Sequence, residues 1–133
     1  MAPPHDARAA LAAPGLALIA ELKPRSPSRG LLRADATPEV FGPVYRRYAA
    51  AISVLCDAPF FSGGLDVLAR MRTLVDVPLL AKDFMIDPWQ IHAARAHGAD
   101  LVLLMASVLD DAELADLLAL TRSLGMEALV EVT

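Results

Sequence analysis

Five short apolar runs punctuate the chain, at residues 16–22, 51–55, 78–81, 101–105 and 128–132, and four stretches of helical periodicity separate them. Those stretches cover residues 38–48, 65–74, 88–97 and 111–124. In the last one Leu114, Leu117, Leu118, Thr121 and Leu124 repeat at the i, i+3, i+4 spacing of a single buried stripe. Asp110 followed by Glu113 predicts a capping box at its start, and Gly125 predicts its stop. Thr37-Pro38 opens the first helix in the same style, while Gly42-Pro43 inside it leaves open a start only after that pair.

The runs are continuously apolar, the pattern of strands covered on both faces. One helix between each pair of strands predicts parallel strands joined by right-handed crossovers. The expected class is therefore α/β: strand then helix, four times over, then a fifth strand. Residues 1–15 read as a short N-terminal extension and residues 16–133 as one body. A doubly wound five-stranded sheet fits the length, yet no strand is followed by a glycine fingerprint for a dinucleotide. A closed TIM (β/α)8 barrel needs about 250 residues. On that alternative the chain holds a partial barrel of about five parallel strands and four helices, a half-barrel.

Composition narrows the function classes. With 56% hydrophobic and 21% charged residues over 133 positions, the chain can bury a core and is not a disordered segment. Its formal net charge of −4 gives no general attraction for nucleic acid or for an anionic membrane, so any anion must be held by a local cluster. A single cysteine, Cys56, excludes an intrachain disulfide and fits a reducing, cytoplasmic setting. Residues 9–20 are apolar behind Arg8, but Pro14-Gly15 interrupts them and Asp6 precedes them, which argues against a secretory signal. No run reaches the roughly 18 apolar residues of a membrane helix.

Candidate chemistry gathers where alternate strands end. The first runs into Glu21-Leu22-Lys23, the third into Lys82-Asp83 and the fifth into Glu131. Glu21 and Lys23 fall on the same side of an extended chain, about 6–7 Å apart. Opposite charges at the end of a buried strand are costly unless they meet each other or a ligand. In a (β/α)8 barrel the active site lies at that end, with alternate strands feeding one layer. Each residue also has a plainer explanation: Lys23 as a loop lysine, Asp83 as the cap of the next turn, Glu131 as a solvated terminal residue. Lys82 is the hardest to dismiss, because Leu79-Leu80-Ala81 leads straight into it. Ser26, Ser28 and Arg29 offer phosphate donors or ordinary turn chemistry. Phe60, Phe61 and Phe84 suit either an aromatic substrate or gaps beneath the loops. His92 and His97 lack metal-ligand spacing, and Met71, Met85 and Met105 read as core.

Four motifs, in order along the chain, resemble the indole-3-glycerol-phosphate synthase family. They are Ile19-Ala20-Glu21-Leu22-Lys23 with Ser26-Pro27-Ser28-Arg29-Gly30; Ala51 through Asp57 with Pro59-Phe60-Phe61; Leu80-Ala81-Lys82-Asp83-Phe84 with Ile86-Asp87-Pro88; and Ala128-Leu129-Val130-Glu131-Val132. The resemblance implies a carboxy-lyase of tryptophan biosynthesis. Such an enzyme closes 1-(2-carboxyphenylamino)-1-deoxyribulose 5-phosphate to indole-3-glycerol phosphate, with no metal or organic cofactor. It further implies Lys82, Glu131 and Glu21 as catalytic groups, Lys23 and Ser26 as substrate-anion contacts, and Phe84 as a wall of the aromatic pocket. Glu131, protonated in part of the cycle, is expected to be buried.

Several features depart from the family pattern. Pro24 follows the first lysine where Arg or Lys is usual, no glycine precedes residue 51, and the N-terminal helical extension shrinks to residues 6–13. Strands six to eight, which by the same resemblance carry an asparagine, a glutamate–serine pair and glycine-rich phosphate loops, are not in this sequence. The expected partner is a small phosphorylated substrate, with little turnover by the chain alone. An alternative is a non-catalytic half-barrel whose open edges associate with a second copy or with a C-terminal half.

Overall fold

The computed structural model describes residues 2–23, 25–26, 30–31, 35–57 and 64–133. A six-residue helix, α1 (Ala7–Ala12), precedes β1 (Ile19–Leu22), and a short antiparallel ribbon of β2 (Arg25–Ser26) and β3 (Gly30–Leu31) follows. The chain continues through α2 (Pro38–Tyr48), β4 (Ala51–Leu55), α3 (Leu65–Leu74), β5 (Leu79–Lys82), α4 (Pro88–Ala96), β6 (Leu101–Met105), α5 (Asp111–Ser123) and β7 (Glu127–Glu131).

The five main strands form one parallel sheet in the order β1-β4-β5-β6-β7. That order never reverses, so the sheet has no switch point and is not doubly wound. Every crossover helix lies on the same face. Phe41 and Tyr45 of α2, Leu68 and Met71 of α3, Ile91 and Ala94 of α4, and Leu117 of α5 pack with Ile52, Val54, Leu79, Ala81, Val102 and Leu104 in one core. A sheet wound one way with its helices outside is part of a (β/α)8 barrel, and its other face is the barrel interior.

Helix ends follow their sequence signals. Asp110 and Glu113 form the reciprocal box, and Asp87 and Gln90 form a second one at α4. Helix α2 begins at Pro38, with Thr37 as its cap, and runs through Pro43 without breaking. The proline forfeits a single backbone bond. Gly42 beside it lets α2 close on α3, since a Cβ there would lie 3.2 Å from Met71 Sδ. The first strand is shorter than its apolar run: the ladder begins where Ile19 meets Ala51, and Leu16 is left exposed.

The polar network beneath the sheet was not legible beforehand, whereas the helical remnant expected over residues 6–13 is present as α1. Asp100, 2% exposed, accepts hydrogen bonds from Leu79 N (2.8 Å), Arg72 Nη1 (2.7 Å) and His5 N (2.6 Å). Arg72 also donates to the carbonyls of Val75 and Val77, so one ion pair ties down the α3–β5 turn, the start of β6 and the N-terminal segment. Gly98 must remain glycine beside it, with φ +104° and Arg72 Cγ 2.8 Å from where a Cβ would sit. Helix α1 lies across the amino end of the interior face, where Ala7 is buried with Leu80, Leu101 and Leu103.

Candidate active site

Side chains on the interior face follow directly from strand register. Glu21 pairs with Ser53, Ser53 with Leu80, Leu55 with Lys82, and Met105 with Glu131. Residues two apart share a face, so Ile19 and Glu21 of β1, Ser53 of β4, Leu80 and Lys82 of β5, Leu103 of β6, and Leu129 and Glu131 of β7 line one hollow of about 330 Å³. Apolar side chains form its floor and charged ones its rim. Lys82 stands one two-residue step nearer the carboxyl end than Glu21, and its long stem spans that stagger.

Glu21 is the hub. Its Oε1 accepts from Lys82 Nζ at 2.8 Å and from Ser53 Oγ at 3.2 Å, while its Oε2 meets Lys23 Nζ at 3.0 Å. Tyr45 of α2 donates its hydroxyl to the Glu21 carbonyl at 3.0 Å, fixing the backbone beneath the carboxylate. Partial burial pushes the Glu21 carboxyl up, but the hydrogen bonds and charges of Lys82 and Lys23 together outweigh it and hold the group below its ordinary range. Glu21 is thus an anion braced between two cations.

The remaining expected residues fall less evenly. Glu131 lines the same hollow but is exposed on β7, an edge strand of the described sheet. The burial expected for it is absent, since no described element covers its side of the sheet. Phe84 lies past the end of β5, 42% exposed, and is not among the residues lining the hollow. Ser26 belongs to β2 by its backbone, but its side chain lies outside the described residues, as do Ser28, Arg29, Phe60 and Phe61. Asp83 accepts from its neighbour Phe84 N at 2.7 Å, the turn role foreseen as its plainer explanation. Cys56 is buried, and burial followed by the nearby Asp83 charge pushes its thiol up to about 12, so it is a packing residue and not a nucleophile.

Ser53 and Tyr45 are the site residues that sequence reasoning passed over. Ser53 had a signal, as the one hydroxyl inside the fully buried strand Ala51–Leu55. Tyr45 had none, since its position on α2 looks like any core aromatic.

Charged groups gathered at the carboxyl ends of parallel strands, over an apolar floor and inside a one-way-wound sheet, place this chain among (β/α)8-barrel proteins, whose active sites are commonly built at that end. The chain belongs to the indole-3-glycerol phosphate synthase family, whose family model matches residues 6–133. Indole-3-glycerol phosphate synthase from Mycolicibacterium gilvum is 52% identical over 130 residues, covering 97% of this chain and 48% of that protein. The Micrococcus luteus protein of the same name is 51% identical over 134 residues, covering 96% of this chain and 50% of its own length. The chain therefore spans about half the length of the curated relatives it matches. Among solved structures, dihydropteroate synthase from Yersinia pestis superposes with a TM-score of 0.54 at 15% identity, over 90% of this chain and 41% of that one. At such low identity the likeness concerns the fold alone.

Proposed function

We propose that this chain supplies the amino-terminal share of an indole-3-glycerol-phosphate synthase site acting on 1-(2-carboxyphenylamino)-1-deoxyribulose 5-phosphate. The observation that carries the reading is Glu21 held between Lys82 and Lys23 on one interior face, with Glu131 lining the same hollow. The reaction needs an acid at the substrate ketone. The Lys82 ammonium gives its proton to the ketone oxygen while the ring carbon bearing the carboxylate bonds to the carbonyl carbon. Carbon dioxide then leaves, and its bonding electrons restore the aromatic ring. Finally the new hydroxyl departs as water, taking a proton from an acid while a base removes one from the adjacent carbon. Glu131 and Glu21 are the acid–base groups for that step. In the unliganded chain Glu21 is ionised, which suits it to the base role. Lys23, with Ser26 beyond it, holds the substrate anion, and Phe84, which stands past the end of β5 outside the unliganded hollow, is the wall expected for an aromatic part that extends beyond it. The chemistry calls for neither metal nor organic cofactor, and a biosynthetic reaction of this kind belongs to the cytoplasm.

Product fluorescence provides the test. The chain alone should turn over little substrate. Mixed with the separately produced carboxyl-terminal half of the Mycolicibacterium gilvum relative, it should form indole-3-glycerol phosphate, and Lys82→Ala should lower that rate by about 100-fold or more. Turnover indifferent to Lys82→Ala would overturn the assignment.

A second reading is favoured by the interior face itself. Ile19 is 37% exposed and Leu129 38% exposed there, and β1 and β7 are the edges of the described sheet. On this reading the chain acts by association through those edges, with its own copy or with a carboxyl-terminal half.

A further inference from the structure

We infer that Ser53 is a positioning residue, which sets the rotation of the Glu21 carboxylate so that one oxygen faces Lys82 and the other faces Lys23. Ser53 is 3% exposed, in the middle of a strand whose other members are Ala51, Ile52, Val54 and Leu55. An alanine would fit that interior position, whereas a buried hydroxyl is costly there unless it is hydrogen-bonded. The bond it donates is to Glu21 Oε1, directly across the β1–β4 ladder. Of the three side chains that donate to Glu21 among the described residues, Lys82 and Lys23 end long flexible stems, and Lys23 follows the last residue of β1. Ser53 has one rotatable bond before its oxygen and stands on β4, paired on both sides by β1 and β5. A carboxylate offers about four acceptor positions, so the lysines alone leave its plane free to turn. The serine removes that freedom from a rigid support, and Tyr45 fixes the backbone beneath it.

The inference rests on the proposed reaction only for what Glu21 serves, so its test reads Glu21 directly. Carboxyl carbon NMR titration of Glu21 would be run on the chain and on its Ser53→Ala and Ser53→Thr variants, each checked for an unchanged amide spectrum elsewhere. Ser53→Ala should raise the Glu21 midpoint by about half a pH unit, because the ionised form loses a hydrogen bond and its alignment with the lysines. Ser53→Thr, which keeps the hydroxyl, should restore it. An unaltered midpoint in Ser53→Ala overturns the positioning role, as does a shift that Ser53→Thr fails to reverse. A shift that reverses, in a chain whose complemented turnover ignores Lys82→Ala, supports the positioning role while the proposed reaction falls. Where turnover is restored, Ser53→Ala should lower kcat by about tenfold and leave KM within about twofold. A change confined to KM would count against it.

Discussion

At the scale of single residues, the site is a problem of charge compensation. The Lys82 ammonium and the carboxylates of Glu21 and Glu131 line an apolar hollow. Lys23 joins Lys82 on the Glu21 carboxylate, which remains ionised because both cations reach it. Its folded value lies below the ordinary 4.5, so the stability it contributes is complete above that value and is lost as the pH falls through the folded one. Replacing Glu21 by Gln should therefore make the chain less stable than the original at neutral pH, by a margin that narrows in acid below about 4.5. Denaturant titrations at a series of pH values would show this, and a constant margin would refute it. Cys56 shows the opposite balance. Burial and an acidic neighbour keep it a thiol, so alkylating reagents should leave it untouched while the chain is folded.

At the scale of elements, local signals settled most of what was found. Strand β6, helices α2 and α3, and the start of α5 at its capping box fall where periodicity and caps place them. Helix α1 falls within the helical remnant expected at residues 6–13, capped by Asp6, whereas the Asp100 network did not announce itself, because it depends on no local pattern. A six-residue helix holds its place by burying Ala7 against β5 and β6, and Asp100 gathers donors from residues 5, 72 and 79. Removing that carboxylate deprives the Arg72 guanidinium of its counter-charge and the Leu79 and His5 amides of their acceptor. Asp100→Ala should cost about 3 kcal/mol of unfolding free energy, measurable by urea denaturation, with the far-ultraviolet spectrum retained at low denaturant. A cost below about 1 kcal/mol would show the network to be dispensable.

At the scale of the whole molecule, winding direction is the decisive property. The same five runs and four helices serve a doubly wound sheet or part of a barrel, and strand order alone separates the two. Because all the crossovers fall on one side, the interior face carries the charged rim and also leaves Ile19 and Leu129 partly open. That surface gives the association reading its own expectation. Sedimentation velocity over a range of concentrations should show species larger than one chain, and Leu129→Lys should shift the population towards monomer. A monomer at every concentration, binding no hydrophobic dye, would remove the reading.

By itself the sequence determined the alternation of strands and helices, the parallel connections, the caps and the residue types that end alternate strands. All of these are written in spacings of a few positions, where backbone geometry acts directly. Tertiary structure alone decided that Glu21 meets Lys82 and Ser53, that Asp100 anchors the underside, and that Glu131 stands exposed while Phe84 lies away from the hollow. Those outcomes depend on the stagger between neighbouring strands and on the hand of the winding, which place residues far apart in the chain within a hydrogen bond of each other.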